Sequence, residues 1–137
     1  MQGLIIDYAG VLDTGAEDEK RWKTLIAAVK EKEIAVGILS NEEGDGEAAE
    51  QIREWEFNGV VDAVVLSGEI GAEKPERAAF QAAADAVGVD LNECVMIDDD
   101  IMNVRAAVEY DMIGILHTAI DRTAVEIQSL FDIEGEF

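Results

Sequence analysis

Gly3-Leu4-Ile5-Ile6-Asp7-Tyr8-Ala9-Gly10-Val11-Leu12-Asp13 begins as an apolar run, ends that run in a carboxylate and then turns at a glycine. Such a run reads as a buried strand whose C-terminal end presents Asp7. Ligands of open parallel sheets bind beyond the carboxyl ends of the strands, so Asp7 is the first residue to weigh for chemistry. Strand, Asp and Gly in that order is also ordinary turn chemistry. What decides between the two is whether the same grammar recurs.

It does recur. Cys94-Val95-Met96-Ile97 runs into Asp98-Asp99-Asp100, with Asn103-Val104 following. Three adjacent carboxylates at a strand end repel one another, and a bound divalent cation is the usual compensation. Between the two stretches, Ile38-Leu39-Ser40-Asn41 reads as a strand ending in a hydroxyl. Gly71-Ala72-Glu73-Lys74-Pro75 puts a lysine just before a helix, with Pro75 suited to the first helical position.

The segments between these ends alternate strand with helix. A helix from about Glu17 to Lys32 sets Trp22, Leu25, Ile26 and Val29 at spacings of three and four. Its acidic start and basic end suit the helix dipole, and half of the basic residues lie on it, as a solvated face or a partner-docking one. Strands are expected at Ile34 to Leu39, Val60 to Leu66 and Met112 to Leu116. A second helix offers Ala48, Ile52 and Trp55 on one face and closes at Asn58-Gly59. The helix after Lys74 buries Ala79, Phe80, Ala83, Ala84 and Val87, and Gly88 ends it. Another begins near Ile101, burying Val104, Ala107 and Val108, and ends at Asp111, which tolerates the left-handed conformation better than most residues. Asp121 or Thr123 can cap a last helix carrying Ala124, Ile127, Leu130 and Phe131, with residues 134–137 read as a frayed tail. The alternation implies one α/β domain over residues 1–137, its sheet mostly or wholly parallel and covered by helices on both faces.

Composition narrows the partners. The formal charge of −21, from 31 acidic against 10 basic residues, repels nucleic acid and anionic membrane. It also opposes an anionic substrate unless a cation and a lysine reverse the field locally. No apolar run reaches membrane-spanning length, and Met1-Gln2-Gly3 leads into a strand without a charged leader, so a cytoplasmic protein is expected. The single cysteine, Cys94, excludes a disulfide framework and reads as a small buried hydrophobe. His117, the one histidine, reads as a loop residue satisfied by its neighbours.

Asp, Ser, Lys and an Asp pair at successive strand ends resemble the four motifs of the haloacid dehalogenase (HAD) superfamily of hydrolases. The resemblance covers nearly the whole chain and is strongest from Val64-Val65-Leu66-Ser67 through Gly71, Lys74-Pro75 and Phe80, then at Asp98-Asp99, Asn103-Val104 and Ala106-Ala107. It implies a three-layer α/β/α sandwich around a five-stranded Rossmann-like sheet of order 5-4-1-2-3, with Asp7 central. Too few residues separate the motifs for a cap domain, so the chain resembles a capless member.

The resemblance also assigns roles. Asp7 would be the nucleophile that forms a phospho-aspartate. Ser40 and the backbone amide of Asn41 would bind phosphate oxygens, and Lys74 would pair with Asp7 and the transferred group. Mg²⁺ would be held by Asp7, the backbone carbonyl of Ala9 and Asp99, with Asp98 acting through water. Taken singly, Ser40 also reads as a helix cap, Lys74 as a surface lysine, Asp100 as a solvated turn residue, and Asn103 as a cap or a support behind the metal.

Ala9 departs from the pattern. Phosphatases of the family carry a second Asp there, which protonates the leaving group and then activates water. Losing a general acid-base group costs roughly 10²- to 10⁴-fold. Asp13, Glu42 and Glu69 are conceivable substitutes, and spacing does not choose among them. Three readings follow: a slow Mg²⁺-dependent phosphohydrolase acting on a small phosphorylated substrate or a phosphoprotein, a catalytically silent binding protein, and a haloacid dehalogenase. The last fits worst, because those relatives have a cap and need no metal. An open site also favours cover from a second copy, and hence a homodimer.

Overall fold

Leu4, Ile5 and Ile6 are wholly buried, and their strand β1 (Gly3–Ile6) has a parallel neighbour on each side. The computed structural model describes residues 2–137, so Met1, from which the absence of a leader is read, lies outside the described residues. Along the chain follow α1 (Ala16–Glu31), β2 (Ala35–Ser40), α2 (Glu47–Phe57), β3 (Ala63–Leu66) and the short α3 (Ser67–Ile70). Then come α4 (Arg77–Val87), a 3₁₀ turn at Leu91–Glu93, β4 (Cys94–Asp98), α5 (Ile101–Glu109), β5 (Ile113–Leu116) and α6 (Ile120–Phe131). The five strands run β3-β2-β1-β4-β5, all paired in parallel, which is the expected order with Asp7 central.

Side chains alternate across a strand, so each face of this sheet has its own core. Leu4, Ile6, Val36, Ile38, Val95 and Ile97 pack with Trp22, Leu25, Ile26 and Val29 of α1 and with residues of α2 and α6. Ile5, Leu39 and Met96 meet Ala79, Phe80, Ala83, Ala84 and Val87 of α4 on the other face. Helix α4 lies close to the sheet because Gly37 has no side chain: a Cβ there would stand 2.8 Å from Val87 Cγ1. At the β3 edge, the Glu56 carboxylate accepts the Val64 amide at 2.8 Å. No helix of the described residues is long and apolar enough to cross a membrane.

Several local expectations are corrected. Pro75 does not start a helix. Residues 73–76 form a turn closed by Glu76 N–H to Glu73 O at 2.8 Å and Glu73 N–H to Glu76 Oε1 at 3.0 Å, and α4 begins at Arg77. Ala48 is exposed and Ala49 takes the buried position beside Ile52 and Trp55. Val108 and Leu130 are 54% and 41% exposed, lying just outside the buried stripes of α5 and α6. The third strand is shorter than expected, because the Val60 and Val61 amides close α2 on Trp55 O. Neither Asp121 nor Thr123 caps α6: Ala119 is its N-cap, and the Thr123 hydroxyl lies 2.7 Å from His117 Nδ1. The tail is tied down, with Phe137 O accepting from Arg21 at 2.6 Å and Gly135 O from Gln128 at 2.8 Å. Asp111 does adopt the left-handed conformation, at φ 68°.

Candidate active site

Parallel register brings the carboxylates together. Ile6 of β1 is paired with Ile97 of β4, so the next residues, Asp7 and Asp98, leave adjacent strand ends side by side. The Asp7 amide continues the ladder to Ile97 O at 2.9 Å. Ser40 ends β2 on the other side of β1. These ends open into a cleft of about 460 Å³ whose floor is Asp7, Ser40, Lys74, Asp98 and Asp99.

Lys74 enters from the turn before α4 and is almost entirely buried. Its ammonium donates to Asp7 Oδ1 at 2.7 Å and to Asp98 Oδ2 at 2.8 Å. The turn is fixed from outside by Asn41, whose side-chain amide accepts from Lys74 N–H at 2.9 Å and donates to Lys74 O at 3.0 Å. Tyr110 adds a hydrogen bond to Pro75 O at 3.3 Å. A surface position for Lys74 is thereby ruled out.

Asp98 is wholly buried, and both its oxygens are taken. Oδ2 also accepts from Asn103 Nδ2 at 3.2 Å, and Oδ1 accepts the Asp100 amide at 2.9 Å. Asn103 therefore supports Asp98 rather than capping a helix. Asp100 is the N-cap of α5, accepting from the Met102 amide at 2.9 Å. Among the described residues the Ser40 hydroxyl has no hydrogen-bond partner, although Ser40 is buried at the cleft floor.

Burial pushes the Asp7 carboxyl up to about 7; Lys74 pulls against that rise and the charge of Asp98 adds to it. A cation beside Asp7 would favour its ionised form. Asp7, Asp98 and Asp99 each offer an oxygen, and these oxygens lie within 4.8 Å of one another. All are hard oxygen donors of the kind Mg²⁺ takes. Gly10 makes room for this cluster: its φ is 79°, and a Cβ there would overlap the Asp99 carboxylate. Asp98 already accepts from Lys74, Asn103 and the Asp100 amide, whereas no side-chain donor reaches Asp99 among the described residues.

Of the three acids considered as substitutes at position 9, Asp13 and Glu42 line the cleft and Glu69 does not. Glu69 pairs with Arg53 at 3.1 Å, while Asp13 accepts the Gly10 amide at 2.7 Å. His117 is buried on Thr123 as expected of a satisfied residue, and burial lowers its pKa. Cys94 is buried, its thiol pushed up to about 11 by burial first and by Glu93 and Asp90 next. The basic side of α1 is partly spent inside the chain: Arg21 reaches Asp121 at 2.6 Å and Lys30 reaches Asp62 at 3.2 Å.

Sequence reasoning missed the Asn41 side chain, the space that Gly10 provides, and the cleft wall formed by Tyr8, Ala48, Gln51 and Ile52. Of these only Gly10 carried a signal. It stands three residues after Asp7 in the opening stretch, where a left-handed turn beside the carboxylates could have been suspected.

The profile of the haloacid dehalogenase-like hydrolases matches residues 5–111. The chain belongs to this family. A protein from Corynebacterium glutamicum, known as a crystal structure, superposes on the present HAD-like chain with a TM-score of 0.95 and 55% identity, covering 100% of this chain and 99% of that one. A HAD phosphatase from Thermococcus onnurineus shares the fold at a TM-score of 0.71 and 13% identity, covering 98% and 99% of the two chains. A HAD family enzyme from Bacteroides thetaiotaomicron, solved with magnesium and inorganic phosphate, does so at 0.62 and 16%, covering 87% and 95%. A phosphatase from Mycobacterium tuberculosis is 36% identical over 66 residues, which are 48% of this chain and 30% of that protein. The match thus spans less than a third of that relative's length.

Proposed function

We propose that this HAD-like chain is a magnesium-dependent phosphohydrolase in which Asp7 takes the phosphoryl group from substrates whose leaving group needs no proton. The observation that carries this reading is the Asp7–Lys74–Asp98 triad at the end of the central strand, with Asp99 beside it. Asp7, Asp99 and the Ala9 carbonyl would hold the ion. Magnesium, when bound, supplies charge neutralisation for a phosphate approaching a carboxylate.

The chain's own residues do the rest. An Asp7 oxygen bonds to phosphorus while the bond from phosphorus to the leaving oxygen breaks. Lys74 keeps Asp7 oriented and offsets the charge gathering between them, and Asp98 holds Lys74 in place. The Ser40 hydroxyl and the Asn41 amide donate to phosphoryl oxygens. Water then attacks phosphorus, inorganic phosphate leaves, and Asp7 is restored. Ala9 offers no proton at either step, so alkyl esters, whose alkoxides leave poorly, react slowly and acyl or aryl phosphates react best. The open cleft favours cover from a second copy of the chain or from a bulky substrate, in the cytoplasm.

The methyl group of Ala9 also favours a second reading, a silent HAD-like protein that binds metal or a phosphorylated ligand. Acid-quenched reaction with labelled acetyl phosphate in Mg²⁺ separates the two. Label trapped on the wild type and absent from Asp7→Asn supports the hydrolase. No trapped label and no turnover, with Mg²⁺ binding confirmed, leaves the binding protein.

A further inference from the structure

The cleft over Asp7 shares two lining residues, Tyr8 and Gln51, with a second hollow of about 300 Å³. Glu19, Lys23, Glu54, Trp55, Asn58 and Val60 complete its walls. Tyr8 and Trp55 meet edge to face, with centroids 6.4 Å apart and planes at 86°, so their rings form a rigid corner. The Lys23 ammonium lies 5.4 Å from the Trp55 centroid and 3.8 Å from the Glu19 carboxylate. Ala9 and Ala48, both exposed, line the cleft beside Tyr8 and Gln51.

We propose that this hollow is the leaving-group subsite and that it takes the ring of an aryl phosphate, a phenol ester bearing a hydrogen-bonding substituent. The inference rests on the hydrolase reading above and adds the substrate class. Two independent observations meet in it. Ala9 has no proton to give, which restricts the leaving group to one that departs as a stable anion. A hollow of this volume, at the small end of ligand pockets, has room for a single substituted ring. Acyl phosphates satisfy the first condition but have no ring for the corner, and alkyl phosphates fail the first. In the transfer, the Asp7 oxygen bonds to phosphorus as the bond from phosphorus to the ring oxygen breaks. The electron pair leaves on the phenolate, which takes its proton from water after release. Gln51 and Asn58 can each donate to and accept from the ring substituent.

The test compares 4-nitrophenyl phosphate with acetyl phosphate in Mg²⁺, each substrate against itself in wild type and variant, so that intrinsic reactivity cancels. Asn58 lines the hollow and not the cleft, is exposed and makes no side-chain hydrogen bond among the described residues, so Asn58→Trp fills the hollow without touching the cleft wall. The variant should lose about tenfold or more in kcat/KM for the aryl ester, mainly through KM, and stay within about twofold on acetyl phosphate. Glu54→Trp, at another exposed position that lines the hollow and not the cleft, should show the same selectivity. Equal effects on both substrates, or none on either, would overturn the subsite while leaving the hydrolase reading intact. Absence in the wild type of both acetyl phosphate turnover and trapped label would overturn both.

Discussion

Gly10 and Asp99 are in such close contact that the Asp99 carboxylate occupies the space a side chain at position 10 would need. Gly10→Ala therefore meets two penalties, the left-handed φ of 79° and displacement of Asp99. The backbone term alone is about 1–2 kcal/mol. Urea denaturation should show at least that loss, and the thermal shift produced by Mg²⁺ should shrink. An unchanged Mg²⁺ shift would mean that Asp99 does not hold the ion.

Mg²⁺ should stabilise the fold, and Asp99→Asn should remove most of the effect. At free Mg²⁺ a hundred times its dissociation constant, linkage gives about 2.7 kcal/mol. Asp100→Asn is the control, because Asp100 caps α5 and Asn caps nearly as well. Calorimetric scans with and without the ion check both variants, and an equal shift in wild type and Asp99→Asn would count against the site.

Lys74→Met should be costly without any metal present. It leaves the wholly buried Asp98 with only Asn103 and the Asp100 amide. Removing one partner of a buried ion pair costs about 3–5 kcal/mol. Asp98→Asn in the same background should recover part of the loss, and a double-mutant cycle from denaturation midpoints measures the coupling. Purely additive effects would contradict the geometry.

Ala9→Asp should raise turnover of alkyl phosphates more than of aryl or acyl phosphates. A positioned general acid contributes ~10²- to 10⁴-fold, and a misaligned one less. The quantity to follow is the ratio of the two activities in steady-state assays, which should move toward the alkyl ester. A constant ratio would show that leaving-group protonation is not what Ala9 withholds.

His117 gives stability a pH dependence. Burial lowers its pKa below the ordinary 6.5, with Asp99 and Asp18 opposing. Between the folded and unfolded values the unfolded chain binds more protons at His117, so the contribution of His117 to stability rises with pH across that window and is lost as pH falls from about 6.5, while Asp7, raised to about 7, acts in the opposite sense. His117→Gln should flatten this slope. The difference in denaturation midpoint between the two proteins isolates His117 and should move in the variant's favour as pH falls from neutral to mildly acidic; parallel curves would refute the assignment.

Topology and both cores were legible in the sequence because their signals are periodic. Trp22, Leu25, Ile26 and Val29 repeat at helical spacing, and Ala79, Phe80, Ala83, Ala84 and Val87 do the same. Asp7, Ser40, Lys74 and Asp98 could be placed in one cleft because each follows from a strand end or the loop opposite it. Contacts without a period were not legible. The Thr123 hydroxyl turns to His117 rather than to its own helix end, and the bonds from Asn41 to Lys74 cross 33 residues. The choice between Ala48 and Ala49 depends on a rotation of α2 that its short apolar pattern does not determine.

The paired hydrogen bonds between the Asn41 side chain and the Lys74 backbone join the loop after β2 to the turn before α4. Those two segments are thereby pinned to each other before any ligand arrives. An arriving phosphate meets a rigid frame, so little conformational entropy remains to be lost there on association. For the hydrolase proposed above, this would replace motion by preorganisation: Asn41→Ala would leave every charged group in place yet make encounter with the ligand entropically more demanding.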